Sequence, residues 1–558
     1  MISRVTDLGT ERLKGLASKT DWQKIAKAAA LETISKILRV HKPDTNILQG
    51  EKASEYLEKL IPAVEAAIIK SHSAYGDLRW LWYLRRIPRE LLEGRFGTTF
   101  TYNLALAEII SSQMPRSQIG SHPNQLYYPV DSHVFRQLCR FVGKIKLLSN
   151  LHVNYRKVGK GASLKIVSGI PISITDKSTE EAMKSYDLRH EATSSGLGAG
   201  LGLSPLEADY SKLVKLGEKS AFYFIVTPSC SPILVPVNYP DDKGKVFEAE
   251  VEARYFLSIV EIEKVLDPYQ DKLNIEPDYL EEIVPILQFQ YMLFILIANI
   301  PWAMGSMLKQ GYFLTKIDIS KDLFDRYLPE INSTFSQWLP GSSFCCTFDS
   351  WFKAASAISP KAWPLKSGGF VQTLNDTFVL FNTASATNAL FGRLEIDKTL
   401  SILGNKRGGH FEKQCQDIIN ESEWKPDPKI AALIGKTLKQ KRKSVTDIDA
   451  IGVKNNTLLL ISCKSVVYDG DYDQGKFSRV RNIQSTIDSA VEYWLNLIDS
   501  LKSNPKGDNF DFSSFKSIQG VVCTPFAVYS TAEQTLSYLD NGLRACLSSS
   551  ELATWLSK

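Results

Sequence analysis

The side chains best suited to chemistry lie in one stretch of the last quarter of the sequence, VTDIDAIGVKNNTLLLISCKS (445–465). Two β-rich runs flank Asn455-Asn456, and asparagine tolerates the positive φ that a two-residue hairpin turn requires. A tight turn predicts that residue 454 pairs with 457, 452 with 459, 449 with 462 and 447 with 464. Because strand side chains alternate, we expect one face to carry Asp447, Asp449, Ser462 and Lys464. The opposite, apolar face would pack against a helix through Ile448, Ala450, Leu459, Ile461 and Cys463.

Two carboxylates and an ammonium on one sheet face are suited to phosphate chemistry. A carboxylate pair at strand spacing can hold Mg²⁺, which prefers oxygen ligands and keeps several waters. Lys464 would orient or help to deprotonate one such water while the metal stabilises charge on a phosphate. The structural alternative is a surface salt bridge between Asp447 and Lys464, which form a cross-strand pair in this register.

The neighbouring segments predict the elements that position this hairpin. Upstream, RGGHFEKQCQDIINES (407–422) has one apolar stripe and is predicted to be a helix that begins after Gly408-Gly409, with Glu412 in its first turn. Downstream come a long amphipathic helix (478–503), a buried strand (517–530) and a closing helix (549–558) with serines available as caps. The predicted order is helix, strand, strand, helix, strand, helix.

These motifs resemble those of the PD-(D/E)XK nuclease superfamily, the restriction-endonuclease-like fold, and are closest to its Mrr-like branch. The resemblance rests on Glu412 after Gly408 or Gly409, on Asp449 in DIDAIGV and on Lys464 in ISCKS. It implies a phosphodiesterase that depends on Mg²⁺ (or Mn²⁺) and acts on DNA or RNA. Asp449 would bind the metal, Lys464 would be the catalytic lysine and Glu412 the first-helix acid. The backbone carbonyl of Cys463 would be a further metal ligand, and Gln484 resembles a glutamine that some branches use near the site.

One position departs from the family pattern. The family has Asp or Glu two residues before the lysine, where this chain has Ser462. The missing carboxylate could be replaced by Asp447, which we therefore include among the predicted metal ligands, or by Glu412 or Glu492. Otherwise the domain is a degenerate module that binds nucleic acid or docks a partner without turnover. The sequence leaves both possibilities open.

The charge distribution favours a polyanionic partner. Residues 401–482 contain 15 Lys and Arg against 10 Asp and Glu, a surplus of 5 that equals the surplus of the whole chain. A basic rim around an acidic centre suits a phosphate backbone with metal ions between them. For 436–443 alone, a solvated linker is an equally good interpretation. The predicted nucleic-acid-binding residues are Lys406, Arg407, Lys439, Lys441, Arg442, Lys443, Lys476, Arg479 and Arg481.

The rest of the chain predicts architecture more than chemistry. With 558 residues, 44% of them hydrophobic and 23% charged, it is too long for one core and too ordinary in composition for a disordered, collagen-like or disulfide-scaffold protein. We predict an α+β multidomain protein: a helical region (1–145), a β-rich region (146–265), a mixed helical and β region of unknown role (266–402) and a restriction-endonuclease-like α/β domain (403–558). A linker at LGNKRGG (403–409) would precede the last domain.

Three further segments have alternative interpretations. The uncharged stretch 283–308 is long enough to cross a bilayer, but its glutamines and prolines favour a buried helix. RWLWY (79–83) could stack on nucleic acid, but its helical spacing favours a core. The glycine-rich SSGLGAGLGLSP (194–205) is predicted to be a flexible loop, because a P-loop lysine is missing.

The overall prediction is a cytoplasmic nuclease. The 8 cysteines form no CxxC pair and favour free thiols in a reducing compartment, and MISRVTDLGTERLKG is too polar for a signal peptide. The expected partner is nucleic acid, DNA rather than RNA, with a protein partner or a homo-oligomer as further options and a membrane disfavoured. Residues 1–402 would sense or target, as in bacterial antiviral defence effectors. The competing interpretation is the catalytically degenerate module.

Overall fold

The protein is an α+β protein in which helices dominate the N-terminal part and the strands form several small sheets. The computed structural model describes residues 8–93, 100–117, 121–122, 125–167, 169–193, 221–224, 233–238, 246–251, 255–258, 277–299, 312–336, 343–358, 370–374, 376–382, 385–386, 389, 401–466 and 470–557. The predicted glycine-rich loop at 194–205 lies outside these residues.

The N-terminal region is a bundle around the long helix α7. Its elements are α1 (Leu8–Ala17), α2 (Trp22–Val40), β1 (Ile47–Leu48), α3 (Gly50–His72), α4 (Asp77–Leu84), α5 (Arg89–Leu92), α6 (Phe100–Ser112), β2 (Ser121–His122), β3 (Gln125–Leu126) and α7 (Ser132–Gly159). Helix α7 begins at the N-cap Asp131, whose side chain accepts a hydrogen bond from the Val134 N–H at 2.8 Å. Trp80, Trp82 and Tyr83 are buried in the core of the bundle, which confirms the core interpretation of the RWLWY segment.

The first three elements after α7 lie within the predicted β-rich region (146–265), although one of them is a helix. They are β4 (Ser163–Val167), β5 (Ile170–Ile174) and α8 (Lys177–Thr193). Helix α7 runs through the predicted boundary at residue 145, and β1 joins β4 and β5 in one antiparallel sheet. The change from helical to β-branched texture therefore marks the end of α7 rather than a break between structural units.

Among the described residues, the middle of the chain combines short strand pairs with three helices. Its elements are β6 (Ala221–Phe224), β7 (Ile233–Asn238), β8 (Val246–Val251), β9 (Tyr255–Ser258), α9 (Pro277–Asn299), β10 (Tyr312–Lys316), α10 (Ile317–Ser336), α11 (Phe348–Ala357), β11 (Val371–Thr373) and β12 (Phe378–Asn382). Strands β6 and β9 pair with each other, β7 pairs with β8, and β12 lies between β10 and β11.

The apolar stretch that resembles a membrane span includes most of α9, which is buried in protein. Gln288 and Gln290, which interrupt the apolar sequence, are both buried. The Gln288 Nε2 donates to Asn332 at 2.7 Å and to the Cys345 carbonyl at 3.0 Å, and Trp351 donates to the Pro285 carbonyl at 2.9 Å. No helix within the described ranges is long and apolar enough to cross a bilayer.

The C-terminal region is built on a four-stranded sheet. Its elements are α12 (Ser401–Asn420), α13 (Pro428–Ala431), β13 (Thr437–Gln440), β14 (Lys443–Asp447), β15 (Ala450–Lys454), β16 (Thr457–Cys463), α14 (Gly470–Gln474), α15 (Phe477–Ser503), β17 (Ser517–Thr524), α16 (Glu533–Leu536), β18 (Cys546–Ser548) and α17 (Ser549–Leu556). The sheet has the order β15-β16-β17-β18, with β15 antiparallel to β16 and the other neighbours parallel. A separate hairpin joins β13 and β14.

The predicted linker at 403–409 is wrong, because α12 is continuous through it and contains Gly408 and Gly409. Glycine inside a helix costs about 1 kcal/mol relative to alanine, and the burial of Phe411, Cys415 and Ile419 on the same helix offsets that cost. The closing helix α17 agrees with the sequence prediction. Its N-cap Ser548 forms a capping box with Glu551.

The N-terminal bundle and the C-terminal sheet meet through two glycines. A Cβ atom on Gly159, the last residue of α7, would lie 1.8 Å from the Gly475 carbonyl oxygen. Gly475 has φ +85°, and a Cβ there would lie 2.4 Å from the Arg156 Cα. Helix α8 then continues into the C-terminal core, where Tyr186 packs edge-on against Tyr472 and Tyr529. The two regions therefore share one packed interface.

The bundle also contains a buried histidine that predicts a pH-dependent stability. His72 packs edge-on against Trp80 and Phe141, and neither ring nitrogen has a hydrogen-bond partner among the described residues. Burial, with help from the Lys144 charge, lowers the pKa of His72 to about 3. The unfolded chain takes up this proton near pH 6.5, so the free energy of unfolding should fall as the pH drops from about 6.5 toward 3.

We expect His72→Phe to flatten this pH dependence, because phenylalanine keeps the ring packing and has no proton to gain. Urea unfolding at pH 7 and pH 5 would measure it. His133→Phe, at an exposed position in the first turn of α7, is the matched control and should leave the slope unchanged. Equal slopes in wild type and His72→Phe would show that His72 does not carry the effect.

Candidate active site

The C-terminal end of strand β16 is where the candidate catalytic residues meet. Helix α12 lies across one face of the sheet, with Phe411, Cys415 and Ile419 packed among side chains from β15, β16 and β17. Glu412 follows Phe411 and is half-buried at the edge of that contact. Lys464 directly follows β16 and donates its backbone N–H to the Cys523 carbonyl at 2.8 Å. The packing of α12 therefore brings its carboxylate to the strand end where Lys464 stands.

Asp449 is fixed at the same end by a hydrogen bond to the neighbouring strand. Its Oδ2 accepts the Cys463 N–H at 2.6 Å, a short charge-assisted contact. The register of β15 and β16 pairs Lys454 with Thr457 and Gly452 with Leu459, as the sequence predicts. Asp449 lies one residue before β15, at the position opposite Ser462.

The predicted pairing of Asp447 with Lys464 is wrong. Asp447 ends β14, where it pairs with Thr437 and accepts a hydrogen bond from the Thr437 hydroxyl. The chain leaves the strand at Ile448 and Asp449 before β15 begins, so the two-residue alternation does not continue from β14 into β15. Ile448 accordingly packs in the core on the opposite side from Ala450, whereas one common apolar face was predicted. The salt bridge considered as the alternative role of these two residues assumed that Asp447 and Lys464 are a cross-strand pair, and they are not.

Glu412, Asp447, Asp449 and Lys464 nevertheless interact electrostatically. Burial raises the pKa of Glu412, and the charges of Asp449 and Asp447 raise it further, against the opposing charge of Lys464. Burial likewise raises the pKa of Asp449, although the Cys463 N–H and Lys464 favour its ionised form. Two carboxylates whose ionisation is disfavoured by burial and by neighbouring carboxylates, beside an ammonium, form a site at which an added cation would be stabilised.

The donor set fits a cation that needs few protein ligands. Within the described ranges, no group of three or more His, Cys, Asp or Glu side chains is arranged to hold a metal ion. Mg²⁺ differs from a fully enclosed metal, because proteins commonly bind it through one or two carboxylates while waters and substrate phosphates complete its shell. Glu412 and Asp449 would supply those two carboxylates, whereas Asp447 is exposed at the end of β14.

Ser462, which replaces the acid of the family pattern, contributes to the site in another way. Its side chain is buried, and its hydroxyl forms a hydrogen bond with Asp449 that lowers the pKa of that carboxyl. The serine therefore favours the ionised form of Asp449 without adding a negative charge.

The Cys463 thiol is unsuited to binding a metal ion. Its hydrogen bond with Cys415 and its burial raise the pKa of the Cys463 thiol well above its usual range. The thiol therefore stays protonated at neutral pH and packs in the core with Cys415 and Cys523. The predicted role of the Cys463 backbone carbonyl stays a prediction.

The described contacts of Gln484 do not include the carboxylates of the site. Its Nε2 donates to the Thr531 hydroxyl at 3.1 Å, and it is not among the groups that perturb Glu412 or Asp449. Its proposed role near the site stays a prediction.

Sequence reasoning missed Gln416, which positions the site helix. Its amide accepts the Ile451 N–H at 2.8 Å and donates to the Ile451 carbonyl at 3.2 Å, so it occupies the outer edge of β15. Gln416 lies one turn after Glu412 on the same side of α12. It therefore fixes Glu412 relative to Asp449, which precedes Ile451 by two residues. The i, i+4 spacing from Glu412 was the available signal.

The predicted basic rim separates into groups. Lys439, Lys441, Arg442 and Lys443 are exposed on the β13–β14 hairpin. At the start of α15, Lys476 forms an ion pair with Asp471 at 3.0 Å, and Arg481 lies over the Phe477 ring at 5.6 Å, while Arg479 is half-buried. Lys406 and Arg407 lie in α12, but their side chains are outside the described part of the structure.

Comparison of the chain with protein-family models, with curated proteins and with solved structures found no match. The site is therefore interpreted from its own chemistry.

The raised pKa values predict that the site is a source of instability when no cation is present. Above the raised pKa values, both carboxylates ionise at a cost to the folded state. We expect Asp449→Asn to increase the free energy of unfolding in EDTA at pH 7 by about 0.5–1 kcal/mol, the usual gain from relieving one unfavourable interaction. The gain should disappear in acid, where the wild-type carboxylates are protonated.

Thermal unfolding in EDTA from pH 3.5 to 8 would measure this difference. Asp417→Asn, at an exposed position on the same helix as Glu412, is the matched control and should show no pH-dependent gain. A destabilised Asp449→Asn at pH 7 would contradict the prediction.

Proposed function

We propose that the protein is a metal-dependent nuclease that hydrolyses phosphodiester bonds in DNA, less readily in RNA, and that residues 403–558 form its PD-(D/E)XK-like domain. The observation that carries the proposal is the convergence of Glu412, Asp449 and Lys464 at one end of the sheet. A binding module needs basic surface but has no use for two mutually destabilised carboxylates beside a lysine. That combination suits chemistry at a phosphate.

The roles of the residues follow from their charges and positions. Bound Mg²⁺ or Mn²⁺ supplies a polarised phosphate and an acidified water. Asp449 and Glu412 would hold the cation through carboxylate oxygens, and the Cys463 N–H keeps Asp449 in place. The Lys464 ammonium orients the attacking water and stabilises the negative charge that develops on the phosphate as the P–O bond breaks. Gln416 keeps α12, and with it Glu412, in position.

A second candidate function has one specific observation in its favour. Ser462 replaces a carboxylate, and its hydroxyl bonds to Asp449 instead of adding a metal ligand. A domain with this deficit would bind nucleic acid or dock a partner in a larger assembly without cutting. The exposed basic hairpin would serve both functions.

The first expected result is loss of cleavage in the site variants. Asp449→Ala and Lys464→Ala should each reduce Mg²⁺-dependent cleavage by about a hundredfold or more, because each removes a group with its own catalytic role. The assay would use plasmid DNA, labelled single-stranded DNA and RNA, with Mg²⁺, Mn²⁺ or EDTA. The matched controls are Asp417→Ala, exposed on α12, and Lys454→Ala, half-buried at the other end of the β15–β16 hairpin, where it pairs with Glu423.

Cleavage that survives in both site variants would overturn the assignment of the active site. Nucleic-acid binding without cleavage in the wild type, under all these conditions, would favour the non-catalytic function.

Ser462→Asp separates an impaired site from one whose acid has been relocated. If Ser462 weakens the metal site, the added carboxylate should tighten Mn²⁺ binding in calorimetric titration and raise cleavage together. Ser462→Ala, which adds no ligand, is the control and should not tighten binding. Unchanged Mn²⁺ affinity in Ser462→Asp would show that another acid already completes the site.

A further inference from the structure

The β13–β14 hairpin carries a basic turn in a backbone conformation that its residues disfavour. Lys441 has φ +51° and Arg442 has φ +64°, both in the left-handed region. A two-residue turn of this kind prefers Asn-Gly, and the other such turn in the domain uses Asn455 and Asn456. Long basic side chains at both positions therefore gain nothing for the fold, and strain of this kind is characteristic of sites with a function.

The backbone of this hairpin is firmly held while its charges are exposed. The Asp508 carboxylate accepts the Arg442 N–H at 2.6 Å, and the Asn509 side chain accepts the Lys439 N–H at 2.8 Å. Leu438 is buried in the core, and the Tyr493 hydroxyl donates to the Val445 carbonyl at 3.2 Å. The hairpin is thus a rigid support rather than a solvated linker.

The basic side chains on this support are available to a partner. Lys439, Lys441, Arg442 and Lys443 are exposed, and none of them forms an ion pair with another described residue. Residues 436–446 contain five Lys and Arg and no Asp or Glu. Five cations on a fixed backbone, with the Asp508 carboxylate bound to the backbone of the turn, leave a net positive surface that matches an array of phosphates.

The hairpin has a defined reach from the candidate active site. Strand β14 leads from the turn to Asp447, with one register shift beside Val445, and the Asp447 charge acts on Glu412 and Asp449. Asp447 follows Arg442 by five positions, and a regular strand advances about 3.3 Å per residue, so the turn lies no more than roughly 17 Å along the strand. One strand of a duplex advances about 3.4 Å per base pair, so this reach spans about five base pairs.

We propose that the β13–β14 hairpin is an arm that binds the phosphate backbone of duplex nucleic acid about five base pairs from the bond held at Glu412, Asp449 and Lys464. The inference rests on the proposed nuclease function and adds the duplex character and the minimum length of the substrate. A rigid arm at a fixed distance suits a stiff duplex, because a flexible single strand has no fixed spacing to match.

The double variant Lys441→Asn with Arg442→Gly tests the arm without damaging the fold. It installs the residues that such a turn prefers and removes both charges, so its Tm should equal or exceed that of the wild type. The matched control is Lys14→Gln with Lys36→Gln, which removes two exposed charges from α1 and α2 in the N-terminal bundle.

Binding would be measured by fluorescence anisotropy in EDTA, so that cleavage plays no part, with 6- and 16-base-pair duplexes at several salt concentrations. For the 16-base-pair duplex we expect the arm variant to bind roughly tenfold or more weakly, with the slope of log K against log salt smaller by about two. The 6-base-pair duplex, centred on the site, does not reach the arm and should bind both proteins equally. The control variant should match the wild type throughout.

Each result that differs from this expectation would contradict one specific part of the proposal. Equal affinity and slope for wild type and arm variant on the 16-base-pair duplex overturn the arm and leave the nuclease proposal standing. Equal losses on both duplexes show an unspecific charge effect and also overturn the arm. Tighter binding of single strands than of duplexes overturns the duplex substrate, and equal competition by polyglutamate assigns the hairpin to an acidic protein. A wild type that binds no nucleic acid overturns the proposed partner itself.

Discussion

Both faces of the four-stranded C-terminal sheet are covered by apolar side chains, and this constraint determines where charged groups can stand. On one face, α12 and α17 contribute Phe411, Ile419 and Leu552, and on the other α15 contributes Trp494 and Ile498. An ionised side chain under either layer would lose its hydration without a partner, at a high cost in free energy. Glu412, Asp449 and Lys464 accordingly meet at a strand end rather than beneath either layer.

The same apolar covering of the sheet explains why the pKa values of both site carboxylates are raised. Glu412 and Asp449 are close to the apolar layer, so burial is the main cause of their raised pKa values. The Asp449 charge raises the pKa of Glu412 further, and the Asp447 charge raises that of both. Retaining both carboxylates costs stability, which is typical of sites that bind a cation or perform chemistry. The hydrogen bond from the Cys463 N–H partly offsets that cost by holding Asp449 in one orientation.

Residues 403–558 alone do not complete the hydrophobic core of the C-terminal domain. Helix α8, more than two hundred residues earlier in the chain, places Ala182, Met183 and Tyr186 in the core beneath α15. The buried ion pair of Arg189 with Glu551, at 2.8 Å, connects α8 to the cap of α17. The close approach of Gly159 and Gly475 excludes any side chain between the bundle and the start of α15. The C-terminal domain therefore packs directly against the N-terminal region through α8 and the end of α7.

The sequence by itself determined the local features of the protein. The Asn455-Asn456 turn, the register of β15 with β16, the cap of α17 and the burial of RWLWY all follow from short-range preferences, and the structure has them. Apolar periodicity also identified the face of α12 that carries Glu412 into position, although it placed the start of that helix too late.

Only the tertiary structure decided how those pieces meet. A strand pattern read from sequence has no means of showing that the chain leaves the sheet at Ile448, because the pairing partner of Asp447 is Thr437 rather than Lys464. Two other long-range contacts likewise have no local signal in the sequence. Helix α8 packs into the C-terminal core, and the Gln416 amide forms hydrogen bonds with the backbone of β15. Short-range propensities are encoded residue by residue, whereas packing partners follow from which apolar surfaces can be buried together.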